Sequence, residues 1–225
     1  MEPSNLFDLF EVIGPVMVGP SSSHTAGAIR LGRLARAAAG FAPVSARIDL
    51  HGSFAETGRG HGTDRGLVAG LLGWAPDDAR LGEVAEHARA AGLMVVFHQT
   101  DLGRVHPNTA RLYLTGPDGQ HAVVQGSSIG GGAVVVTELD GWPVELTGAN
   151  EAVLVGHWDR PGVLARVTGA VAAHGVNIAS MKVARKARGG EALATVEMDQ
   201  PPNPDLMQAL QDAPNVRWVR RVGRI

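Results

Sequence analysis

Ala152-Val153-Leu154-Val155-Gly156-His157-Trp158-Asp159-Arg160-Pro161-Gly162-Val163-Leu164 is where the fold of this 225-residue chain becomes readable. Ala152 to Gly156 has the short apolar run of a buried strand. Asp159 is a good helix N-cap, and Pro161 suits a first helical turn. Val163, Leu164, Val167, Ala170 and Val171 then recur at helical spacing, and Gly175 supplies a stop. Further on, Ala179, Met181 and Val183 alternate as on one face of a strand. Arg188-Gly189-Gly190 reads as a hairpin turn, and Ala192, Ala194, Val196 and Met198 alternate again. Asn203-Pro204 opens a short helix carrying Leu206 and Leu210. The last strand is expected over 216–222, with Trp218 turned inward or to an interface. The order β-α-β-β-α-β is the ferredoxin-like split unit.

Working upstream, Thr147-Gly148-Ala149-Asn150 interrupts two strand-like runs. It divides the chain into residues 1–148 and 149–225. In the first part, short helical character is expected over 7–13. A stronger helix covers 25–39, with Ala28, Leu31, Leu34, Ala35 and Ala38 on one face and Gly40 ending it. A strand is expected over 44–50. Helices over 63–72 and 77–91 are closed by Gly73 and Gly92. Strands then follow over 93–98, 109–115, 121–125, 134–139 and 144–146. Helices early and a run of antiparallel strands later give an α+β class.

Composition narrows the chemistry. The chain has no cysteine, so it offers no disulfide, no thiolate nucleophile and no cysteine ligand for zinc or iron–sulfur clusters. A net charge of −2 is not that of a nucleic-acid-binding domain, and 4% aromatics leaves little for base stacking. The first residues show no basic start followed by an apolar stretch, and no run approaches the ~20 apolar residues of a membrane span. A soluble, cytoplasmic protein is expected, with no nucleic-acid or membrane partner.

Three polar loops carry the candidate chemistry. Gly19-Pro20-Ser21-Ser22-Ser23-His24-Thr25 crowds hydroxyls and an imidazole at a helix start. There, free amides and partial positive charge suit a carboxylate or phosphate. His24 can exchange a proton near neutral pH. The competing reading is a helix cap with surplus hydroxyls. Gly58-Arg59-Gly60-His61-Gly62-Thr63-Asp64 is a second loop, in which Asp64 can orient an imidazole; otherwise it is a turn with Thr63 as N-cap. His106-Pro107-Asn108-Thr109 is a third, by itself an ordinary strand connection. Gly126-Ser127-Ser128-Ile129-Gly130-Gly131-Gly132 lacks the Gly-Lys-Ser/Thr ending of a phosphate loop and precedes a strand, so a tight turn is the default. No His-Glu-x-x-His spacing occurs, so no in-chain metal site is expected. His98 and His121 fall in strand patterns.

The serine-rich turn, together with Gly60-His61-Gly62-Thr63-Asp64, resembles the iron–sulfur-dependent L-serine dehydratases (L-serine ammonia-lyases), specifically their separate beta subunit. Asp159-Arg160-Pro161-Gly162-Val163-Leu164 through Gly175-Val176-Asn177-Ile178 resembles an ACT domain. The middle, about 42–147, is similar to that family's allosteric substrate-binding domain. The resemblance implies a lyase in amino-acid metabolism and gluconeogenesis, active only as a heteromer. An alpha subunit's cysteines hold a [4Fe–4S] cluster whose open iron acts on the serine hydroxyl. By carry-over, His24 and His61 are catalytic. Ser21, Ser22, Ser23, Thr25 and Asn108 bind substrate. His157, Asp159, Gly162 and Asn177 form an effector site for an amino acid such as L-serine, as in the ACT domain of phosphoglycerate dehydrogenase, and the ACT domain self-associates. Asp159 stands where that pattern has asparagine. A non-catalytic amino-acid sensor acting on another partner is the alternative, and a stand-alone hydrolase is a poor third.

Overall fold

The computed structural model describes residues 16–225, so the helix expected over 7–13 lies outside the described residues. A π-helical turn, Ser22–Ala26, runs into α1, Gly27–Ala39. All five residues expected on its apolar face are buried. Gly40 stops it in the left-handed conformation that glycine adopts without a Cβ penalty. Next come β1 (Ser45–Leu50), α2 (Gly52–His61) and α3 (Thr63–Leu72). A 3₁₀ turn (Ala79–Glu83) leads into α4 (Val84–Ala90). The strands β2 (Met94–Gln99), β3 (Thr109–Thr115), β4 (His121–Gly130), β5 (Ala133–Leu139) and β6 (Trp142–Leu146) complete this part.

These strands form a sheet of order β2-β1-β3-β4-β5-β6. Only the β1–β2 pair is parallel, because three helices intervene and carry the chain back over the sheet. The run expected to be antiparallel is therefore mixed at one edge. α1 packs on the sheet, and α3 packs on α1 through glycines. A Cβ on Gly70 would lie 2.2 Å from the Ile29 carbonyl, and one on Gly32 would lie 2.5 Å from that of Leu67.

The second part comprises β7 (Glu151–Trp158), α5 (Val163–Ala173), β8 (Ile178–Arg185), β9 (Glu191–Met198), α6 (Pro204–Gln211) and β10 (Val216–Val222). Its sheet order, β10-β7-β9-β8, is fully antiparallel, and the class is α+β. Val153, Val155, Val163, Val167, Val171, Leu206 and Leu210 form its own core. Ala152, Leu154, Leu193 and Val222 point the other way into the core of the first part. The central strand β7 is thus covered on both faces, which is why it reads as a continuous apolar run. Trp218 also packs on that larger core, and its indole occupies the space a side chain on Gly156 would need.

Several local expectations are corrected. Asp159 does not cap α5: Gly162, at φ +85, is the N-cap, and Pro161 precedes it outside the helix. Thr63 does not cap α3: Gly62 is the cap residue, with no side-chain bond. The stretch 77–91 is not one helix, because Asp78 caps a 3₁₀ turn that becomes helical only at Val84. On β8, a register shift between Ile178 and Ser180 breaks the alternation, so Ile178 and Met181 pack on the same core and Ala179 is exposed; Val183 is exposed as well. The loop expected over 58–64 is instead the last turn of α2 and the first of α3. Ser127 and Ser128 belong to β4, which continues to Gly130.

Candidate active site

The serine turn is built by its own backbone. Ser21, extended, caps it by accepting the His24 amide on Oγ at 3.1 Å, and its carbonyl receives the Thr25 amide. The Thr25 hydroxyl donates to the His61 carbonyl at 2.7 Å, which ties this turn to the end of α2. The imidazoles follow: the His24 and His61 rings lie 5.4 Å apart, and the edge of His24 also meets buried Phe54. The structure therefore brings the two sequence-predicted histidines together. Among the described residues, the hydroxyls of Ser22 and Ser23 take no hydrogen bond and remain half-buried. As the first residues of a helical turn, their amides have no intrahelical acceptor.

Two side chains outside the sequence expectations, Ser53 and Thr57, organise this pair. His24 Nε2 lies 3.1 Å from Ser53 Oγ and 3.2 Å from Thr57 Oγ1. The Thr57 hydroxyl has one proton and spends it on the Ser53 carbonyl at 2.9 Å. It therefore accepts from His24, which assigns the ring proton to Nε2 and leaves the lone pair on Nδ1. His61 Nδ1 lies 3.2 Å from the Thr57 carbonyl, which can only accept. That assigns the His61 proton to Nδ1 and the lone pair to Nε2. Burial, and then the neighbouring His61, hold the His24 pKa below the ordinary 6.5. Neutral His24 is the form these contacts favour. Ser53, Thr57 and His61 stand at i, i+4 and i+8 of α2, on one face; that spacing becomes a signal only once a helix is admitted there.

Asn108 sits at the same rim. Its carbonyl accepts from the Ser128 amide at 3.0 Å, and the Pro107 carbonyl before it abuts Gly52 and the Phe54 amide at the start of α2. Ser128 is buried, with no partner for its Oγ among the described residues, and it stands where a Cβ on Gly27 would be. Asp64 does not orient an imidazole: its carboxylate takes the Arg65 amide at 2.8 Å. A cavity of about 670 Å³ opens beside His61, with Thr57, Asp64, Phe97, His98 and Gln99 in its lining. Ser21, Ser22 and Ser23 do not line it. The serine turn and this cavity meet at the histidine pair.

The predicted effector residues are divided. His157, Asp159 and Gly162 line one cavity of about 520 Å³ with Arg160, Arg185 and Arg188. His157 is buried, and its Nδ1 meets the Trp158 carbonyl at 2.9 Å. Its Nε2 has no partner among the described residues. Asp159 accepts from Arg185 Nη1 at 2.9 Å and from the Gly189 amide at 3.0 Å; these bonds, the Gly189 one foremost, depress its pKa. Asn177 lies at the other end of the sheet. It bonds Asp199 and precedes Ile178, which pairs with Met198 at one end of β9, whereas His157 pairs with Ala192 at the other.

Residues 5–93 match the model of the family described as serine dehydratase beta chain, and residues 152–215 match the ACT domain. The chain is 42% identical over 214 residues to the protein named probable L-serine dehydratase, beta chain, of Bacillus subtilis; the match spans 95% of this chain and 97% of that one. This chain belongs to the serine dehydratase beta-chain family. A second serine dehydratase beta chain, from Peptoniphilus asaccharolyticus, is 39% identical over 91% of this chain and 92% of its own length. The L-serine dehydratase of Mycobacterium bovis is 33% identical over 160 residues, which is 34% of that longer protein. The ACT match follows the beta-chain match along the sequence, and the histidine pair lies in the segment matched by the beta-chain model.

Proposed function

We propose that this chain is the beta subunit of a two-subunit L-serine dehydratase, which converts L-serine to pyruvate and ammonia, and that its histidine pair completes the active site. The observation that carries this reading is the joined histidine pair inside a chain 42% identical, over 95% of its length, to a named beta chain. The alignment with one third of the longer mycobacterial dehydratase supports a partner that supplies the rest. With no cysteine, this chain offers no thiolate set, so its residues suit a role facing a cluster and not holding one. A [4Fe–4S] cluster held by cysteines of the alpha subunit would supply Lewis-acid activation of the serine hydroxyl.

This chain's own residues supply binding and proton handling. The free hydroxyls and amides of Ser22 and Ser23, with the cap Ser21, receive the substrate carboxylate at a helix start. Thr25 holds the turn against His61, and Asn108 closes the rim. His61 takes the Cα proton on Nε2, the nitrogen whose lone pair its Thr57 bond leaves free. As hydroxide departs, the product is aminoacrylate, which tautomerises to the imine and hydrolyses to pyruvate and ammonia. His24, neutral with its proton on Nε2, presents Nδ1 as an acceptor beside His61.

The unit 149–225 acts as an ACT regulatory domain that binds an amino acid, such as L-serine, across two copies. The unpartnered Nε2 of His157 supports a ligand there. Asn177 stands apart from His157 in one copy, so it would come from the second. Asp159 is already committed to Arg185 and Gly189, which gives it the role of shaping the cavity wall. Among the described residues no helix is long and apolar enough to cross a membrane; a cytoplasmic location fits this reading.

The test is co-purification with the alpha subunit, followed by the serine-to-pyruvate assay and the cluster's absorption spectrum. Partner-free chain is expected to be inactive and colourless. His24→Ala and His61→Ala assemblies are expected to lose ~10²–10⁴-fold in turnover while still associating. Near-normal turnover in both would return these turns to a structural role.

A further inference from the structure

Away from the histidine pair, a cavity of about 450 Å³ lies where the C-terminal half of α1 meets the tail of β10. Arg33, Arg36, Arg221 and Arg224 all line it, together with Phe41 and Ile225. No aspartate or glutamate does. Among the described residues, the side chains of Arg33 and Arg224 have no hydrogen-bond or ion-pair partner, and Arg36 has only the Leu71 carbonyl, at 3.0 Å. Glu151 reaches this group from outside the cavity and serves Arg221 at 3.1 Å. Four guanidiniums against Glu151 leave a surplus of three positive charges, because the terminal oxygen of Ile225 already accepts from a fifth guanidinium, that of Arg30, at 2.9 Å. The C-terminal end of α1 offsets about half a charge more. Next to this group, half-buried Arg30 has its pKa lowered by burial and then by Arg33, and its own bonds go to the carbonyl of Gly132 and the terminal oxygen of Ile225.

Like charges gathered around one concave site repel unless a counter-charge enters, and guanidiniums pair best with planar or tetrahedral oxyanions. We propose that this cavity is a binding site for a compact dianion, inorganic phosphate or a small phosphomonoester, held between α1 and the tail of the second sheet. The site joins the two parts of the chain. Arg33 and Arg36 come from the helix whose other end, about 20 Å away, carries the serine turn, and Arg221 and Arg224 come from the ACT domain. An occupant bonds both, and so fixes how α1 sits against β10, where Arg220 already donates to the Ala38 carbonyl.

The test is calorimetric titration of the full chain at constant ionic strength with sodium phosphate, and in a second arm with glycerol phosphate. Saturable binding is expected in at least one arm, and the tighter arm identifies the source of the phosphate group. Arg33→Gln and Arg224→Gln should each weaken it about tenfold or more, while Arg104→Gln, an exposed arginine in another loop, should not. Arg224 is exposed, so its replacement keeps the test valid if Arg33→Gln fails to fold. Absence of saturation by either compound at tens of millimolar overturns the site. Unchanged affinity in folded Arg224→Gln and Arg33→Gln overturns it as well.

Discussion

Thr57 accepts a hydrogen bond from Nε2 of His24 on its hydroxyl, 3.2 Å away, while its backbone carbonyl meets Nδ1 of His61. One residue thereby assigns the ring proton of both histidines. Thr57→Val removes the hydroxyl and keeps the carbonyl. The expected outcome, in complex with the alpha subunit, is a kcat about 10²-fold lower with KM little changed, and Thr57→Ser close to normal. Nitrogen-15 spectra of the chain alone should show His24 losing its Nε2–H preference while His61 keeps Nδ1–H. A near-normal Thr57→Val beside an impaired Thr57→Ser would mean that the methyl, and not the hydroxyl, matters.

His24 is held below 6.5 by burial first and by His61 second. Its neutral form is favoured in the folded chain. This stabilisation is complete above the unfolded value near 6.5 and is lost as pH falls from there toward the folded value. A proton NMR titration should place the His24 midpoint below 6.5. In His61→Asn the midpoint should rise toward the ordinary value, because one of the two lowering causes is gone. A midpoint that falls or does not move in that variant would contradict the coupling.

A glycine in the contact between α1 and α3 and a glycine on the open side of α5 should respond oppositely to alanine. A Cβ on Gly70 would sit 2.2 Å from the Ile29 carbonyl and 2.7 Å from the Arg33 amide, both backbone atoms that cannot yield without moving a helix. Gly70→Ala should cost about 2–3 kcal/mol. Gly169, in α5, has open space around its Cβ position. Gly169→Ala should stabilise by about 0.5–1 kcal/mol through helix propensity. Urea unfolding of the two variants measures both.

The second sheet was legible because its strands and helices carry clean periodicity and its turns carry glycine and proline. Val163, Val167, Val171, Leu206 and Leu210 are core as expected. α2 was not legible. Gly52, Gly58 and Gly60 are three of its ten residues, and helix propensity argues against them. Packing decides instead: fully buried Phe54 anchors the helix to the core. Ser53 and Thr57 were missed with it. Loop chemistry and family resemblance single out His24 and His61 as candidates, but their shared anchor on Thr57 needs the helix. Asp159 was misread because an acid before Pro-Gly satisfies the local capping rule equally well when it bonds a distant loop.

That misreading leads to a separable prediction. The Asp159 carboxylate bonds the Gly189 amide and Arg185, not the first turn of α5. Asp159→Ala should therefore release the loop between β8 and β9 while leaving α5 intact. In hydrogen exchange, the Gly189 amide should lose protection and the amides of Arg166 and Val167 should keep it. The folded pKa of Asp159 is depressed, chiefly by the Gly189 bond. Its contribution is thus present above the unfolded value near 3.8 and is lost as pH falls through the lower folded value. The wild-type loop should loosen over that acid range, and the Asp159→Ala loop should already be loose at neutral pH. If α5 frayed and the loop did not, the capping role would be restored.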